Sequence, residues 1–250
     1  FIPSFSELGL SRPMLENLSR LGFESPTPIQ IGALPPALKG SDLIAMAQTG
    51  SGKTAAFGIP LVEKLQPRRF MVQGLVLCPT RELADQVAKS LRELARARDN
   101  VKILSLCGGV AIGPQIGSLS HGAHIVVGTP GRIQDHLRKG TLTLNQLTTL
   151  ILDEADRMLD MGFQDAVEDI ISQVPVKRQT LMFSATWPDN IRKLSEQYQQ
   201  APADVRIESQ AVESDITERF YGTAGSGRCG VVVVAPASVL HCFLYHETTM

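Results

Sequence analysis

A glycine-rich segment that ends in lysine and threonine separates an apolar run from an amphipathic one. It reads Ala47-Gln48-Thr49-Gly50-Ser51-Gly52-Lys53-Thr54. The glycines let the backbone bend until successive N–H groups face one anion, and the helix that follows adds the positive end of its dipole. Lys53 can then reach the outer phosphates of a nucleoside triphosphate, and the Thr54 hydroxyl can ligate Mg²⁺. The pattern is that of a P-loop except at Ala47, where a glycine is usual; the alternative is a ligand-free turn before a helix.

A second chemically active group, Asp153-Glu154-Ala155-Asp156, directly follows the apolar run Thr149–Leu152. A carboxylate at the end of a buried strand is costly unless a cation accompanies it. We therefore expect Asp153 to hold Mg²⁺, usually through water, and Glu154 to orient or deprotonate an attacking water molecule. The alternative is a helix N-terminus, where acidic residues are favoured without any ligand. Together with the glycine-rich segment, the acidic group favours a nucleotide site.

Short runs of Val, Ile and Leu with little polar alternation predict the elements that position these residues. The predicted strands are Leu43–Ala47, Gly74–Cys78, Lys102–Leu106, His124–Val127, Thr149–Leu152, Gln179–Phe183 and Asp204–Ile207. Amphipathic stretches predict helices at Arg81–Arg98, Gly131–Lys139, Phe163–Gln173 and Asp189–Gln199. This alternation predicts an α/β fold, with a parallel sheet covered by helices on both faces. Ligands of such sheets bind at the carboxyl ends of the strands, where both groups above fall.

The composition excludes several classes of protein. Hydrophobic residues make up 43% and charged residues 20% of the 250, as in globular proteins rather than disordered ones. No apolar run is long enough to span a bilayer, and the first residues do not resemble a secretory signal. The four cysteines form no C-x-x-C pair, so reduced thiols are favoured over a disulfide framework or a zinc site. The net charge of −1 provides no overall basic surface, so any contact with nucleic acid must come from local residues.

Further motifs, in their order along the chain, resemble the DEAD-box RNA helicase family, whose name is the string at 153–156. Gly22-Phe23 followed by Pro26-Thr27-Pro28-Ile29-Gln30 resembles the family's Q motif, with Phe5 as its isolated upstream aromatic. The resemblance implies that Gln30 reads the adenine edge, that Phe5 stacks on the base and that Phe23 belongs to the same ATP site. A side-chain amide does offer adenine both a donor and an acceptor. Without the resemblance, a core phenylalanine and a surface glutamine would be expected.

Three segments that each follow a predicted strand resemble the family's RNA-facing motifs. They are Pro79-Thr80-Arg81-Glu82-Leu83, Gly108-Gly109 and Thr129-Pro130-Gly131-Arg132. The resemblance implies sequence-independent contacts with RNA phosphates and sugars by Thr80, Arg81, Gly109, Thr129 and Arg132. For both threonines the alternative is an ordinary helix N-cap.

A last motif, Ser184-Ala185-Thr186, resembles the one that links ATP hydrolysis to strand separation. The resemblance groups Ser184 and Thr186 with Asp156 in this coupling. Their alternative is a serine–threonine turn.

The resemblance covers about residues 1–220 and implies a P-loop, RecA-like domain at 1–209, with the Q motif at 5–30. It implies ATP and Mg²⁺ as cofactors and the activity of an ATP-dependent RNA helicase, which unwinds short RNA duplexes locally. The implied partner is RNA, including ribosomal RNA for the best-matching branch of the family. A cytoplasmic monomer without membrane contact is expected.

The family's second RecA-like domain carries Ala-Arg-Gly-x-Asp and His-Arg-x-Gly-Arg motifs, and neither string occurs here. We therefore expect 210–250 to be a linker and an atypical tail that is unstructured or poorly packed, with one further strand at Val231–Val234. An alternative function is a non-catalytic nucleotide-binding module without an arginine finger. A P-loop kinase or GTPase is disfavoured because the guanine-reading Asn-Lys-x-Asp string is absent.

Overall fold

The computed structural model describes residues 3–207, 219–221, 229–234 and 241–246. The chain divides into two compact units, Phe1–Glu208 and Ser209–Met250. The first unit carries every residue that the motifs single out. Within the described residues, no helix is both long and apolar enough to cross a membrane.

A seven-stranded parallel sheet forms the centre of the first unit. Its strands are β1 (Leu43–Met46), β2 (Gly74–Leu77), β3 (Ile103–Leu106), β4 (Ile125–Gly128), β5 (Thr149–Leu152), β6 (Gln179–Ser184) and β7 (Ala203–Arg206). Their spatial order is β3-β4-β2-β5-β6-β1-β7, and every neighbouring pair is parallel. All seven predicted strands are found, and each end lies within one residue of its prediction. The predicted α/β fold with a parallel sheet is confirmed.

Nine helices accompany the sheet in the described part of this unit. They are α1 (Arg12–Arg20), α2 (Pro28–Lys39), α3 (Lys53–Lys64), α4 (Arg81–Leu94), α5 (Gly113–Leu119), α6 (Pro130–Arg138), α7 (Ala155–Asp160), α8 (Gln164–Ser172) and α9 (Asp189–Tyr198). Short 3₁₀ turns lie at Phe5–Leu8 and Ala95–Ala97. The four predicted helices are present, although the first ends at Leu94 and continues as the 3₁₀ turn. Helices α1, α2 and α5 were not predicted from the sequence.

Two apolar layers cover the two faces of the sheet. In β2, Val76 belongs to the layer formed with α1 to α4, whereas Leu75 and Leu77 belong to the layer formed with α6 to α9. Ile151 of β5 and its neighbour Leu150 divide between the layers in the same way. Because successive side chains of a strand point to opposite faces, both faces are buried, and the carboxyl ends of the strands form a fixed edge.

The second unit contains three described strands, β8 (Arg219–Tyr221), β9 (Cys229–Val234) and β10 (His241–His246). They form an antiparallel sheet in the order β10-β9-β8. The strand predicted at Val231–Val234 lies within β9. Strand pairing was not expected in an unstructured tail; a run of valines favours the extended backbone found here. The linker expected at 210–218 lies outside the described residues.

Candidate functional site

The glycine-rich loop connects β1 to α3 at the carboxyl edge of the sheet. Gly50 and Gly52 have φ angles of +84° and +93°, in the region that favours glycine. At Gly52 a Cβ atom would lie 2.6 Å from Gln30 Nε2 and 2.9 Å from Thr27 Oγ1. A side chain at this position is therefore excluded by the Q-motif residues as well as by the backbone. The loop that would surround a phosphate is held in shape by α2.

Lys53 and Asp153 are two ionisable side chains that are buried without full hydrogen bonding. They are 7% and 3% exposed, and neither Lys53 Nζ nor Asp153 Oδ1 has a hydrogen-bond partner among the described residues. Burial raises the pKa of Asp153 to about 6, although the positive charge of Lys53 acts in the opposite direction. Buried charges are normally hydrogen-bonded. A buried ammonium and a buried carboxylate, each with an atom that lacks a hydrogen-bond partner among the described residues, fit a site that binds a phosphate and a divalent cation.

Glu154 has an unusual backbone conformation, with φ 52° and ψ 52°. A residue with a side chain is uncommon in this left-handed region, which is found at sites where the surroundings enforce it. Its carboxylate accepts a hydrogen bond from Thr49 Oγ1 at 3.5 Å and contacts Arg157 Nη1 at 3.3 Å. The turn after β5 thus directs Glu154 towards the glycine-rich loop, to which Thr49 belongs.

An open cavity of about 290 Å³ lies between the acidic group and the segment after β6, bordered by Thr49, Glu154, Asp156 and Thr186 among others. Thr186 donates to Asp156 Oδ2 from its backbone N at 2.9 Å and from its hydroxyl at 2.8 Å. The Asp156 N–H donates to Ser184 Oγ at 3.4 Å. Burial raises the pKa of Asp156, but the hydrogen bonds from Thr186 outweigh it, so the pKa lies below its usual value. The three residues that the resemblance groups for coupling are therefore in direct contact.

Gln30 is buried rather than on the surface, with an exposed fraction of 2%. Its Nε2 donates to the Gly52 carbonyl at 3.1 Å, and its Oε1 accepts from the Thr27 N–H at 3.0 Å. Both ends of the amide that would read adenine are thus engaged. The side chain connects α2 directly to the glycine-rich loop.

The two aromatic residues of the Q motif pack against each other. Phe5 and Phe23 meet edge to face, with ring centroids 6.1 Å apart, and Phe5 is 6% exposed. Phe23 borders a cavity of about 160 Å³ together with Gln30, Gly52 and Thr54. Phe5 instead borders a separate, wider cavity that Phe23 also lines. Stacking of a base on Phe5 stays a prediction, since the structure places Phe23, rather than Phe5, beside the loop.

Thr80 and Arg81 begin α4 at the carboxyl end of β2. The Thr80 hydroxyl accepts from the Leu83 N–H at 3.3 Å, so Thr80 is an N-cap, the alternative considered from the sequence. Arg81 is exposed, and its Nε lies 3.7 Å from Asp85 Oδ2. A Cβ atom at Gly109 would lie 3.7 Å from Arg81 Nη1. Two of the predicted RNA-facing segments therefore meet on one surface.

Thr129 caps α6, and its hydroxyl makes no capping hydrogen bond. The Arg132 side chain is only 10% exposed. Its Nη1 donates to Gln115 Oε1 at 2.9 Å and its Nη2 to the Val110 carbonyl at 2.8 Å. In this structure the guanidinium therefore supports the segment after β3 instead of facing solvent, and direct contact with a phosphate stays a prediction.

Gln115 and His136 complete this network, and neither was predicted. Gln115 Oε1 also lies 3.0 Å from His136 Nε2, and Gln115 Nε2 donates to the Cys107 carbonyl at 3.0 Å. Burial lowers the pKa of His136, and the charge of Arg132 lowers it further. No sequence signal marks Gln115, because α5 is short and has no buried residue.

A protein-family model described as DEAD/DEAH box helicase matches residues 27–194, well over half of the chain. The chain belongs to the DEAD/DEAH box helicase family. It is 52% identical over 226 residues to the ATP-dependent RNA helicase DbpA of Escherichia coli (strain K12), covering 90% of this chain and 50% of that protein. It is 48% identical over 217 residues to the ATP-dependent RNA helicase CshA of Listeria monocytogenes, covering 87% of this chain and 42% of that protein. The resemblance read from the motifs is confirmed.

A solved structure shares the fold as well as the sequence. The DEAD box protein from the hyperthermophile Methanococcus jannaschii superposes with a TM-score of 0.78 at 44% identity, over 81% of this chain and 55% of that one. The RecA-like fold expected from the resemblance is thereby confirmed. The chain spans about half the length of the curated relatives that it matches.

Proposed function

We propose that this chain is the ATP- and RNA-binding half of an ATP-dependent RNA helicase. In the complete enzyme, hydrolysis of ATP is coupled to local unwinding of short RNA duplexes. The observation that carries the proposal is the burial of Lys53 Nζ and Asp153 Oδ1 near a glycine-rich loop, where neither atom has a hydrogen-bond partner among the residues that the structure describes. The family relationship supports it, because the relatives named above are ATP-dependent RNA helicases.

Each residue of the edge has a distinct role in this proposal. The backbone of 47–52 surrounds the phosphates, and Lys53 binds the β and γ phosphates. Thr54 and Asp153 would hold Mg²⁺, Asp153 through water, and the ion would supply positive charge beside the phosphates. Glu154, directed at the loop through Thr49, orients the water that attacks the γ phosphate.

Recognition of adenine is linked to the shape of the phosphate loop. Gln30 already donates to the Gly52 carbonyl and accepts from the Thr27 N–H. An adenine edge therefore competes with these partners for the Gln30 amide, so binding of the base changes the restraint on Gly52. Phe23 borders the same cavity, and Phe5 stacks on the base once its packing against Phe23 rearranges.

RNA binds along the carboxyl edge of β2, β3 and β4 through Thr80, Arg81, Gly109 and Thr129. These groups contact phosphates and sugars, which makes binding independent of sequence. Arg132 donates to the Val110 carbonyl, so its predicted contact with a phosphate requires release of this hydrogen bond. Asp156, Ser184 and Thr186 connect this edge to the acidic group, as their hydrogen bonds suggest.

The wider setting is inferred from the family resemblance of the motifs. We infer a cytoplasmic monomer whose full-length form acts on ribosomal RNA during ribosome biogenesis. Residues 1–209 form the first RecA-like domain, and 210–250 form a linker and tail. A second RecA-like domain provides the arginine finger, since the chain spans about half of its relatives.

Substitution of Lys53 tests the nucleotide site directly. A ligand at 100 times its Kd raises the free energy of unfolding by about 2.7 kcal/mol if it binds only the folded state. ATP with Mg²⁺ should therefore raise the melting temperature of the wild type and leave that of Lys53→Ala unchanged. Lys89→Ala, which removes an exposed lysine of α4, serves as the control and should behave like the wild type. An equal rise in the melting temperature of Lys53→Ala would show that Lys53 does not bind the nucleotide.

A further inference from the structure

The loop between α3 and β2, residues 65–73, presents an aromatic side chain and two cations to solvent. Phe70 is 58% exposed and Met71 39% exposed, while Arg68 and Arg69 are exposed as well. Neither arginine has an ion-pair partner in the part of the chain that the structure describes. Exposing a phenylalanine forgoes the gain from burial, so an exposed aromatic beside unpaired cations suggests a binding surface.

The loop is held in one conformation by a buried side chain of its own. Gln73 is 5% exposed, and its Oε1 accepts from the Gln66 N–H at 2.8 Å. Its Nε2 donates to the Gln66 and Arg69 carbonyls at 3.0 Å and 2.9 Å. The loop therefore does not depend on burial of Phe70 for its shape, and it loses little freedom when a ligand binds.

His124 and Gly122, which precede β4, pack against the loop and support it. The Lys102 N–H donates to His124 Nδ1 at 3.0 Å, so His124 Nε2 carries the proton and donates to the Pro67 carbonyl at 3.0 Å. The Phe70 ring contacts the His124 ring at an interplanar angle of 52°, with centroids 4.9 Å apart. At Gly122 a Cβ atom would lie 3.2 Å from the Phe70 carbonyl oxygen. Phe70 thus packs against His124 and Gly122, and 58% of the residue remains exposed to solvent.

The charge around the loop favours an anionic ligand. Residues 66–73 contain two arginines and no Asp or Glu, and residues 103–124 also contain no acidic residue. A guanidinium pair beside an aromatic face combines the two interactions that bind single-stranded nucleic acid, contact with phosphates and stacking on bases. An acidic protein segment would use the arginines but would gain less from the aromatic face.

The loop lies within reach of the proposed RNA edge. It leads into the amino end of β2, and the carboxyl end of the same strand leads to Thr80 and Arg81. Four residues at about 3.3 Å each separate the two ends of β2 by about 13 Å. A contact at Phe70 therefore requires RNA that extends beyond the motif loops by at least this distance.

We propose that the α3–β2 loop is a second RNA contact, at which Phe70 stacks on an unpaired base and Arg68 and Arg69 bind the adjoining phosphates. The ligand is single-stranded RNA that flanks the segment held at the carboxyl edge. The proposal rests on the RNA binding proposed above and extends it to the opposite edge of the sheet.

Binding of two RNAs by the full chain tests this contact. Fluorescence anisotropy would compare a short single strand, which covers only the motif loops, with one extended by flanking nucleotides. Phe70→Ala should weaken binding of the extended RNA about tenfold and leave the short RNA unaffected, while Phe70→Trp should restore binding. Replacing Arg68 and Arg69 with Ala should reduce the salt slope for the extended RNA by about 1.4. The matched controls are Val176→Ala, at a residue 83% exposed elsewhere, and Arg20→Ala combined with Arg96→Ala.

The outcomes separate this contact from the proposed function. If Arg81→Ala weakens the short RNA while Phe70→Ala leaves the extended RNA unchanged, the second contact is wrong and the RNA-binding edge stands. If the wild type binds neither RNA, both proposals are wrong. If Phe70→Ala and Val176→Ala weakened binding of the extended RNA equally, the second contact would also be wrong.

Discussion

Burial of Lys53 and Asp153 without full hydrogen bonding is unfavourable for the stability of the fold. The carboxyl of Asp153 is buried, and its pKa is about 6. Raising the pH removes its proton without providing a hydrogen bond to Oδ1. The site is therefore least stable under the conditions in which it is ready to bind a cation.

Asp153→Asn should make the metal-free protein more stable, and increasingly so at higher pH. The folded pKa lies above the ordinary value of 3.8, so the folded state binds more protons, and wild-type stability falls as pH rises through this window. The advantage of the variant should grow by about 1 kcal/mol between pH 5 and pH 8. Urea unfolding in the presence of a chelator measures it, with Asp165→Asn as an exposed control. An advantage that does not change with pH would contradict the buried, ionising carboxyl.

Gln30→Ala should narrow the preference for adenine over guanine nucleotides. The Gln30 amide can complement adenine, whereas guanine presents reversed donors and acceptors. Loss of the hydrogen bond to the Gly52 carbonyl should also weaken both nucleotides, so the ratio of the Kd values is the informative quantity. Calorimetry with ADP and GDP measures it, and Gln86→Ala on the exposed face of α4 is the control. Comparable Kd values for ADP and GDP in the wild type would count against this role.

Among the elements, the strands could be predicted and several helices could not. Strands buried on both faces are continuous apolar runs, which stand out in a sequence. Helix α2 contains Gly32, Pro35 and Pro36, which have low helix propensity, yet it packs against α3 and forms a helix. Tertiary packing outweighs local preference there.

The candidate site likewise contains residues whose positions could be predicted from the sequence and contacts that could not. The placement of Lys53, Asp153 and Glu154 after β1 and β5 could be predicted, because each group directly follows or lies close after a recognisable apolar run. The burial of Arg132 could not, because it depends on Gln115, which lies on another helix and belongs to no recognisable pattern. The engagement of Gln30 with Gly52 is likewise a long-range contact.

Helix α5 provides a test of positioning at the scale of elements. Gln115→Ala removes the acceptor of Arg132 and His136 and the donor to the Cys107 carbonyl, so the segment around Gly109 should loosen. We expect RNA affinity to fall about fivefold, the equivalent of one net hydrogen bond, with ADP affinity unchanged. Anisotropy and calorimetry measure the two quantities, and Gln164→Ala on α8 is the control. An equal loss of ADP affinity would indicate general destabilisation instead.

At the scale of the whole molecule, the proposed activity is divided between two domains. The carboxyl edge of this chain carries Lys53, Asp153 and Glu154, to which the proposal assigns part of the charge stabilisation that phosphoryl transfer needs. The chain spans about half of its relatives. In the proposal, the remaining stabilisation, an arginine finger, comes from a second RecA-like domain.

The most direct measurement is ATP hydrolysis by the 250-residue chain with RNA, alone and fused to the half of DbpA that this chain does not cover. The chain alone should bind ATP but hydrolyse it slowly, with little stimulation by RNA and no unwinding of a short duplex. The fusion should gain RNA-stimulated turnover of about 10³–10⁵-fold, the usual contribution of an arginine finger, and Glu154→Gln should remove it. Unwinding of a duplex by the chain alone, or turnover of the fusion that does not depend on Glu154, would contradict the account.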